Sequence, residues 1–339
     1  MRCTARATIL IAAAITGLAL AAPTTAAAAP ASSVRGTAQA AKGCITVTAT
    51  IPVGHSPDGV AANPKTSTIY VTNADDNTVS VISGRTNTVA ATIPVGHSPD
   101  GVAANPKTNT IYVTNFLGRT VSVISGRTNT VTATIDVGSL PRGVAADPKT
   151  NTIYVTSELD NTVSVIDGRT NTVTATVPVG RTPIGVAANP KTNTIYVTNV
   201  DDLTVSVIDG RTNTVTTTFP VAAGTVEVAV DPKTKAIYVT NLDTETASVI
   251  SERTKTVTAT IPVGDIPFGV AADPKTKAIY VTNASDNTVS VISERTNTVT
   301  ATIHVGFEPR GVAADPKAKA IYVANADSDT VSVLVACPK

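Results

Sequence analysis

Histidine and carboxylate residues are the side chains of this sequence best suited to acid–base chemistry. His55 and His97 each stand three residues before an aspartate, Asp58 and Asp100 respectively. A histidine beside a carboxylate can transfer a proton or help to bind a metal ion. Glu227 is a third candidate, because related segments of the chain have glycine at its position. These residues are therefore the candidates for a catalytic role.

The motifs that usually accompany such chemistry are missing from the sequence. It contains no G-x-S-x-G, P-loop, H-E-x-x-H, C-x-x-C or C-x-x-C-H pattern, and no calcium-binding loop of the D-x-D-x-D-G type. The third histidine, His304, aligns with a proline that most related segments of the chain contain, so it does not complete a cluster with His55 and His97. The sequence predicts no cofactor and no metal site.

A repeat of 42 residues organises the 339-residue chain. Each copy contains the stretch I-Y-V-x-N or a close variant, and its tyrosines account for all seven in the protein, at positions 70, 112, 154, 196, 238, 280 and 322. The first copy contains four candidate strands separated by turn signals, which we call A (59–63), B (68–73), C (78–83) and D (88–95). Four strands per repeat of about 40 to 45 residues are typical of a β-propeller blade. The prediction is an all-β, seven-bladed β-propeller with four antiparallel strands per blade.

Composition predicts the order of the strands within a blade. Aromatic residues are 3% of the chain and Trp is absent, so β-branched and small residues must fill the interior. Strand B is apolar at consecutive positions, which favours burial on both faces. Strand D contains proline in most copies, which places it at the outer edge because proline cannot donate to a ladder. Alanine-rich strand A is then the inner strand.

The repeat resembles the YVTN-repeat β-propeller family. The resemblance rests on P-x-G-V-A-x-x-P, I-Y-V-T-N, T-V-S-V-I and T-N-T-V-x-A-T-I-P-V-G, and it covers residues 45–336. It implies an exported bacterial or archaeal propeller, often at the cell surface or in the periplasm, without a settled common activity. Other seven-bladed folds include lactonases, streptogramin lyases and haem-binding nitrite reductase domains, so the fold does not decide the chemistry.

The N-terminus has the pattern of an export signal, which we place at residues 1–29. Arg2 and Arg6 precede an apolar run over 9–22 that is too short to span a bilayer. Residues 30–43 are rich in Ala, Ser, Gly and Thr and are predicted to be a flexible linker, followed by the propeller at 44–339. The predicted product is a secreted or extracellular monomer without a transmembrane segment; the cell surface and the periplasm remain alternatives.

The termini predict how the ring closes. Residues 45–53 form a strand D with no blade before it, and the last repeat ends after its strand C at 330–335. The N-terminal strand should therefore complete the C-terminal blade. In the repeat alignment Cys44 and Cys337 fall at adjacent positions of the C-to-D turn, which predicts a disulfide between them in an exported protein.

Charged residues separate between the two faces of the predicted ring. The face with the A-to-B and C-to-D turns carries 17 basic and eight acidic residues, whereas the other carries four basic and 17 acidic residues. We call these the basic face and the acidic face. The basic face is compatible with a polyanion such as nucleic acid or a wall polymer. The alternative is that both sets of charges keep turns and loops soluble.

Positions that differ among the seven repeats are those that the fold does not dictate, and they concentrate on the acidic face around the predicted central channel. If the protein has a ligand-binding site, we expect it there. The candidate ligand-binding residues are Asp58, Asp100, Arg142, Arg181, Phe268, Phe307 and Arg310.

These observations favour an exported binding or surface-interaction module without a catalytic centre, whose ligand or protein partner docks on the acidic face. Two alternatives remain open. One is a lyase or lactonase-like enzyme that uses His55, His97 and Glu227 at the channel mouth. The other is a protein that binds a polyanion on its basic face.

Overall fold

The computed structural model describes residues 44–337, and the predicted export signal (1–29) and linker (30–43) lie outside the described residues. The described part contains 28 β-strands and two 3-10 helices, η1 (Leu242–Thr244) and η2 (Ala326–Ser328). The strands form seven four-stranded antiparallel sheets. The fold is therefore the predicted all-β, seven-bladed β-propeller.

In blades 1 to 6 the strands follow chain order from the inner to the outer edge of the sheet. Blade 1 consists of β2 (Pro57–Asn63), β3 (Thr68–Asn73), β4 (Thr78–Ser83) and β5 (Thr88–Pro94). Blade 2 consists of β6 (Pro99–Asn105), β7 (Thr110–Asn115), β8 (Thr120–Ser125) and β9 (Thr130–Asp136). Blade 3 consists of β10 (Pro141–Asp147), β11 (Thr152–Ser157), β12 (Thr162–Asp167) and β13 (Thr172–Pro178). Blade 4 consists of β14 (Pro183–Asn189), β15 (Thr194–Asn199), β16 (Thr204–Asp209) and β17 (Thr214–Pro220). Blade 5 consists of β18 (Thr225–Asp231), β19 (Ala236–Asn241), β20 (Thr246–Ser251) and β21 (Val257–Pro262). Blade 6 consists of β22 (Pro267–Asp273), β23 (Ala278–Asn283), β24 (Thr288–Ser293) and β25 (Thr298–His304).

Blade 7 is built from both ends of the described chain. It contains β26 (Pro309–Asp315), β27 (Ala320–Asn325) and β28 (Thr330–Ala336), and its outer strand is β1 (Ile45–Pro52). Strand β1 pairs antiparallel with β28 from Ile45 opposite Ala336 to Pro52 opposite Thr330. Cys44 and Cys337 form the predicted disulfide beside this pairing, with their Cα atoms 5.3 Å apart. The prediction of ring closure by the N-terminal strand is confirmed.

The hydrophobic core lies between adjacent blades. In the cluster that joins blades 1 and 7, Ile69 and Ile82 pack with Tyr322 and Val333, and the other blade pairs form equivalent clusters. The repeated tyrosine of the second strand is buried in every blade. Burial on both faces explains the continuous apolar sequence of that strand.

The alternating Val and Ser residues of the third strand do not mark a solvent-exposed face. Ser80 on β4 is buried, and its hydroxyl accepts a hydrogen bond of 3.0 Å from the Asn73 side chain. The asparagine at the end of strand B thus supplies the partner that a buried serine needs.

The inner strands begin two residues earlier than the sequence predicts, and each contains a β-bulge. In blade 1, Pro57 pairs with Asn73 and Val60 with Val71, so Asp58 and Gly59 bulge out of the ladder. The same irregularity recurs in the other six blades. A bulge changes the direction of its side chains, and here it directs one variable residue per blade towards the axis of the ring.

Candidate functional site

The first bulge position of each inner strand lies at the acidic-face mouth of the central channel, and its residue varies among the blades. These residues are Asp58, Asp100, Arg142, Ile184, Val226, Phe268 and Arg310, of which Val226 and Arg310 do not line the channel cavity. The strand pairing that holds them is nearly the same in each blade, but their chemistry differs. The fold therefore repeats the position and leaves the side chain free to vary.

A cavity of about 120 Å³ opens where these strands meet. Asp58, Asp100, Arg142, Glu227 and Phe268 contribute to its lining, together with glycine and valine residues of the inner strands. Since a cavity needs only about 10 to 15 Å³ of such space to hold one water molecule, this cavity holds several water molecules. It is large enough for one functional group of a ligand.

Four charged residues form a continuous polar arc on one side of the channel mouth. Arg142 donates a hydrogen bond of 2.9 Å to Asp100 on the neighbouring blade, and Arg310 donates one of 2.9 Å to Asp58. Blades 7, 1, 2 and 3 thus present the order Arg, Asp, Asp, Arg. Each guanidinium group is fixed by a carboxylate across a blade boundary, which holds the arc in one geometry.

Three further residues support the two arginines, and the sequence analysis missed all of them. Glu158 accepts a bond of 2.6 Å from Arg142, whose guanidinium group also lies 4.3 Å from the centre of the Phe116 ring. Glu308 accepts a bond of 2.6 Å from Arg310. Phe116 and Glu158 occupy one repeat position where three other blades have alanine. This departure from alanine is the feature of the sequence that could have identified Phe116 and Glu158 as residues of the site.

Glu227 stands on the opposite side of the channel, between Ile184 and Phe268 on the neighbouring blades. It occupies the position at which the other six inner strands have glycine. In blade 1 a Cβ atom at that position would collide with the Asp100 carbonyl oxygen. In blade 5 the bond from the Glu227 N–H to Thr240 is 3.2 Å, compared with 2.8 Å for the equivalent Gly59 bond.

The carboxyl group of Glu227 has an unusual electrostatic environment. Burial among protein atoms raises its pKa to about 8, and the negative charges of Asp100 and Asp58 act in the same direction. Among residues 44–337 it forms no ion pair, and no side chain donates a hydrogen bond to it; the Val228 backbone N–H and the more distant charge of Arg142 favour its charged form. These two groups do not offset the effect of burial, so Glu227 is an incompletely compensated acid at the channel mouth.

Asp100 is the second perturbed acid of this site. Burial raises its pKa to about 6, although the Arg142 guanidinium group opposes that shift. Five carboxyl groups, counting Glu158 and Glu308, surround two guanidinium groups here. The site therefore has excess negative charge whenever these acids are ionised.

The two candidate histidines do not reach this cavity. The side chain of His55 is 71% exposed, and its Nδ1 lies 2.9 Å from an Asp76 carboxylate oxygen. That hydrogen bond is the main cause of the raised pKa of His55. His97 is also exposed on its loop. Neither histidine contributes to the cavity lining that includes Glu227.

Arg181 and Phe307 lie further out on the acidic face. Arg181 is exposed and donates a bond of 2.6 Å to Asp202. Phe307 is 65% exposed and lines a separate surface depression of about 620 Å³ together with Ile266. Of the seven predicted ligand-binding residues, Asp58, Asp100, Arg142 and Phe268 line the channel cavity, and Arg310 joins them through Asp58.

Lysines on the basic face form a ring of contacts between blades. The A-to-B turn lysine of five blades donates to a backbone carbonyl of the next blade's turn, as Lys191 does to Pro232 at 2.8 Å and Lys233 to Pro274 at 2.8 Å. These amino groups have a structural role, which accounts for part of the basic charge.

Two kinds of feature are absent from the part of the chain that the structure describes. Within 44–337, His, Cys, Asp and Glu side chains nowhere form a group of three that could hold a metal ion. In the same range, none of the helices has the length and apolar character required to cross a membrane.

The fold and this site define the protein as a seven-bladed β-propeller with a polar channel mouth. No family model matches the chain. Its fold is similar to a solved structure of Kuenenia stuttgartiensis hydrazine synthase, with a TM-score of 0.74 and 21% sequence identity over 88% of this chain and 98% of that chain. At this level of identity the similarity concerns the fold alone.

A short segment is similar to a curated mycobacterial protein. The PE-PGRS family protein PE_PGRS18 of Mycobacterium tuberculosis (strain ATCC 25618 / H37Rv) is 65% identical over 34 residues, which is 10% of this chain and 7% of that protein. The match spans less than one repeat, so it does not extend to the whole propeller.

Proposed function

We propose that this protein is an exported, non-catalytic binding module whose ligand or protein partner docks on the acidic face, at the mouth of the central channel. The observation that carries this proposal is the convergence of the residues that vary among repeats on one cavity. A ligand there contacts several blades at once. The rest of each blade, by contrast, repeats almost unchanged.

The partner surface that best complements this face is basic. The acidic face bears 17 acidic and four basic residues. It also exposes several large apolar side chains, namely Leu117, Leu159, Leu203, Ile266 and Phe307. Opposite charge steers association and apolar contacts add affinity. We therefore infer a partner with basic and apolar groups side by side.

The position of the histidines disfavours the lyase or lactonase alternative. That mechanism requires His55 and His97 to act with Glu227, yet both histidines are exposed on loops outside the cavity lining. Polyanion binding is disfavoured in turn because five turn lysines are bonded to neighbouring blades. The resemblance to YVTN-repeat propellers and the disulfide both agree with an exported protein.

A comparison of the two faces tests the proposal. One variant replaces four exposed acids of the acidic loops with asparagine: Asp75, Asp201, Asp243 and Asp327. A matched variant replaces four exposed arginines of the basic face with glutamine: Arg85, Arg127, Arg253 and Arg295. The probes are a decapeptide of alternating lysine and leucine, and inorganic polyphosphate, titrated at two salt concentrations.

We expect the peptide to bind the wild-type protein and the arginine variant alike, and to bind the aspartate variant at least tenfold more weakly. Affinity should fall as salt rises, because both surfaces are charged. If the peptide does not bind, or if polyphosphate binds and only the arginine variant loses affinity, the acidic-face proposal is wrong.

A further inference from the structure

The propeller fold does not need a side chain at position 227, and within residues 44–337 no cation forms an ion pair with the Glu227 carboxylate. Glycine occupies its position in six blades, and the two arginines of the site are already paired with Asp58 and Asp100. Its carboxyl group faces a cavity and lacks an ion pair within residues 44–337. An acid that is half-buried and lacks an ion pair is costly to keep ionised, so a ligand that supplies the missing positive charge would reduce that cost.

The dimensions of the cavity restrict that ligand. About 120 Å³ admits a single cationic group and a short part of its chain. Ile184 and Phe268 on either side of Glu227 provide apolar surface for methylene groups. An ammonium group is compact and donates three hydrogen bonds, so it can contact one carboxylate while water or backbone carbonyls satisfy its remaining donors.

Other cations fit less well. A guanidinium group is best bound by carboxylates in a bidentate arrangement, and the nearby aspartates are already engaged by Arg142 and Arg310. A divalent metal ion needs several oxygen ligands, and the described residues contain no suitable group of three.

We propose that Glu227 forms a subsite for a primary alkylammonium group, which enters the channel from the acidic face with its methylene chain between Ile184 and Phe268. This inference rests on the proposed function, because it names the chemistry that the acidic-face site recognises. A free alkylamine and the lysine side chain of a protein partner share that chemistry. The experiment below distinguishes them.

The subsite has a defined dependence on pH. The charged groups that face Glu227 from the other inner strands are Asp58 on β2, Asp100 on β6 and Arg142 on β10, and Arg310 on β26 is bonded to Asp58. Burial raises the pKa of Glu227 to about 8, whereas an ammonium ion binds the ionised form. Affinity should therefore rise by up to tenfold per pH unit between pH 6 and 8, and then level off.

Calorimetric titration with n-butylamine tests the subsite, with n-butanol as the uncharged control ligand. The variants are Glu227→Gln, which keeps the shape of the side chain, and Glu227→Gly, which restores the residue of the other blades. Asp136→Asn is the matched control, since Asp136 is an exposed acid at the end of outer strand β9. Thermal unfolding of each variant verifies that it folds.

We expect n-butylamine to bind the wild-type protein and Asp136→Asn equally, and both Glu227 variants at least tenfold more weakly and without pH dependence. An acetylated Gly-Lys-Gly amide is then compared with n-butylamine. Tighter binding of the peptide by tenfold or more indicates a lysine of a protein partner, and equal or weaker binding indicates a free amine.

Failure of this inference differs from failure of the proposed function. If the Glu227 variants bind n-butylamine as the wild type does, or if the wild type does not bind it at 50 mM, the ammonium subsite is wrong. In that case the variant with four aspartates replaced still tests the acidic-face proposal. Weaker binding of the lysine–leucine peptide to that variant supports the proposal, and unchanged binding contradicts it.

Discussion

Single departures from the repeat show how individual residues affect this molecule. Glu227, Glu252 and Glu294 each replace a glycine of the consensus blade. The first enters the channel, and the other two lie in the C-to-D turns of blades 5 and 6. Their environments differ in whether a neighbouring side chain can donate a hydrogen bond. Because an acid removed from water without a side-chain donor is destabilising when ionised, Glu227 and Glu294 make stability depend on pH.

The pH dependence of stability should be smaller in the Glu227→Gly variant. The folded-state pKa is raised to about 8, so the folded protein holds this proton more tightly than the unfolded chain does. Stability is therefore lost as pH rises from the ordinary range of glutamate to about 8. Urea unfolding measures the free energy of unfolding of both proteins at pH 5 and pH 9. The value of the variant relative to that of the wild type should be higher at pH 9 than at pH 5 by on the order of 2 kcal/mol, after allowance for water in the channel.

The same measurements on Asp136→Asn should show no such gain. A difference between Glu227→Gly and wild type that is the same at both pH values would mean that the Glu227 carboxyl group is solvated like a surface acid.

Glu252 is compensated by its neighbours, whereas Glu294 is not. Glu252 accepts hydrogen bonds from Asn189 at 2.8 Å and Tyr196 at 3.1 Å. The residue of blade 5 that corresponds to Asn189 is Asp231, which faces Glu294 and cannot donate when ionised. Burial, together with the charge of Asp231, raises the pKa of Glu294 to about 7. Both Glu294 oxygens are buried without a hydrogen-bond partner.

The Asp231→Asn variant should be more stable than the wild type above pH 7. The new amide can donate to Glu294 as Asn189 does to Glu252, which is worth about 1 kcal/mol. Urea unfolding at pH 8 measures the gain. The reciprocal change Asn189→Asp should lower stability by a similar amount. If Asp231→Asn does not stabilise the protein, the two carboxyl groups are not in contact in solution.

At the scale of elements, a threonine hydroxyl joins each blade to the next. Thr72 on β3 accepts a bond from the Gly59 N–H at 2.8 Å and donates one of 2.7 Å to the Asp100 carbonyl oxygen on the adjacent blade. Six blades contain this bridge. Blade 7 has Ala324 at the equivalent position. The interface that closes the ring therefore lacks one polar connection.

The Ala324→Thr variant should stabilise the closing interface. A hydroxyl there can bridge the Gly311 N–H and the Asp58 carbonyl oxygen, with an expected gain of about 1 kcal/mol. The control Thr72→Ala should cost about 1 to 2 kcal/mol, because it leaves a buried donor and acceptor without their partner. Chemical denaturation measures both. Destabilisation by Ala324→Thr would show that blade 7 packs too closely for a hydroxyl.

Loop conformation provides a second comparison between blades. The loop before each inner strand has one residue in the left-handed region, which costs about 1 to 2 kcal/mol for most side chains. Gly224 occupies this position in blade 5 with φ of 70°, and Ile266 occupies it in blade 6 with φ of 50°. Glycine suits this conformation, whereas a β-branched residue is strained in it.

The Ile266→Gly variant should raise the free energy of unfolding by about 1 kcal/mol, since relief of this strain exceeds the added entropy of the unfolded chain. Ile266 is 41% exposed, so little packing is lost. Gly224→Ala should have the opposite effect, because a Cβ atom there meets the Asp243 backbone. Differential scanning calorimetry measures both changes. Loss of stability in Ile266→Gly would indicate that its apolar contacts outweigh the strain.

At the scale of the whole molecule, closure of the ring couples the two ends of the propeller chain. Strand β1 pairs with β28 along its length, and the disulfide joins residues 293 positions apart. Every blade packs against two neighbours, so opening at this boundary exposes the core clusters on both sides. The disulfide ties the N-terminal end of β1 to the end of β28.

Removal of the disulfide should lower stability by about 4 to 5 kcal/mol, because a cross-link that closes a long loop restricts the unfolded chain. The Cys44→Ser/Cys337→Ser double variant should still fold, since the β1–β28 pairing remains. Urea unfolding of the variant, and of the wild type with and without reductant, measures the effect. Equal midpoints for all three would mean that strand pairing alone determines closure.

The sequence by itself determined the architecture. The spacing of Tyr70 and its six equivalents predicted the number of blades, the prolines predicted the outer strand, and Cys44 and Cys337 predicted the closure. These features repeat or depend on local preferences of the chain, such as turn residues, alternation and proline geometry. A pattern that recurs seven times reveals its structural role without coordinates.

Only the tertiary structure decided which variable residues meet. The sequence placed the catalytic candidates His55 and His97 and the ligand-binding candidates Arg181 and Phe307 at the same channel mouth as Asp58 and Asp100, because all lie on acidic-face loops. The structure separates them, since a β-bulge turns one residue per blade inward while loop residues a few positions earlier face solvent. The pairing of Arg142 with Asp100, and the isolation of Glu227, depend on distances across blade boundaries. Such distances follow from the packing of whole sheets around the channel, which no single repeat encodes.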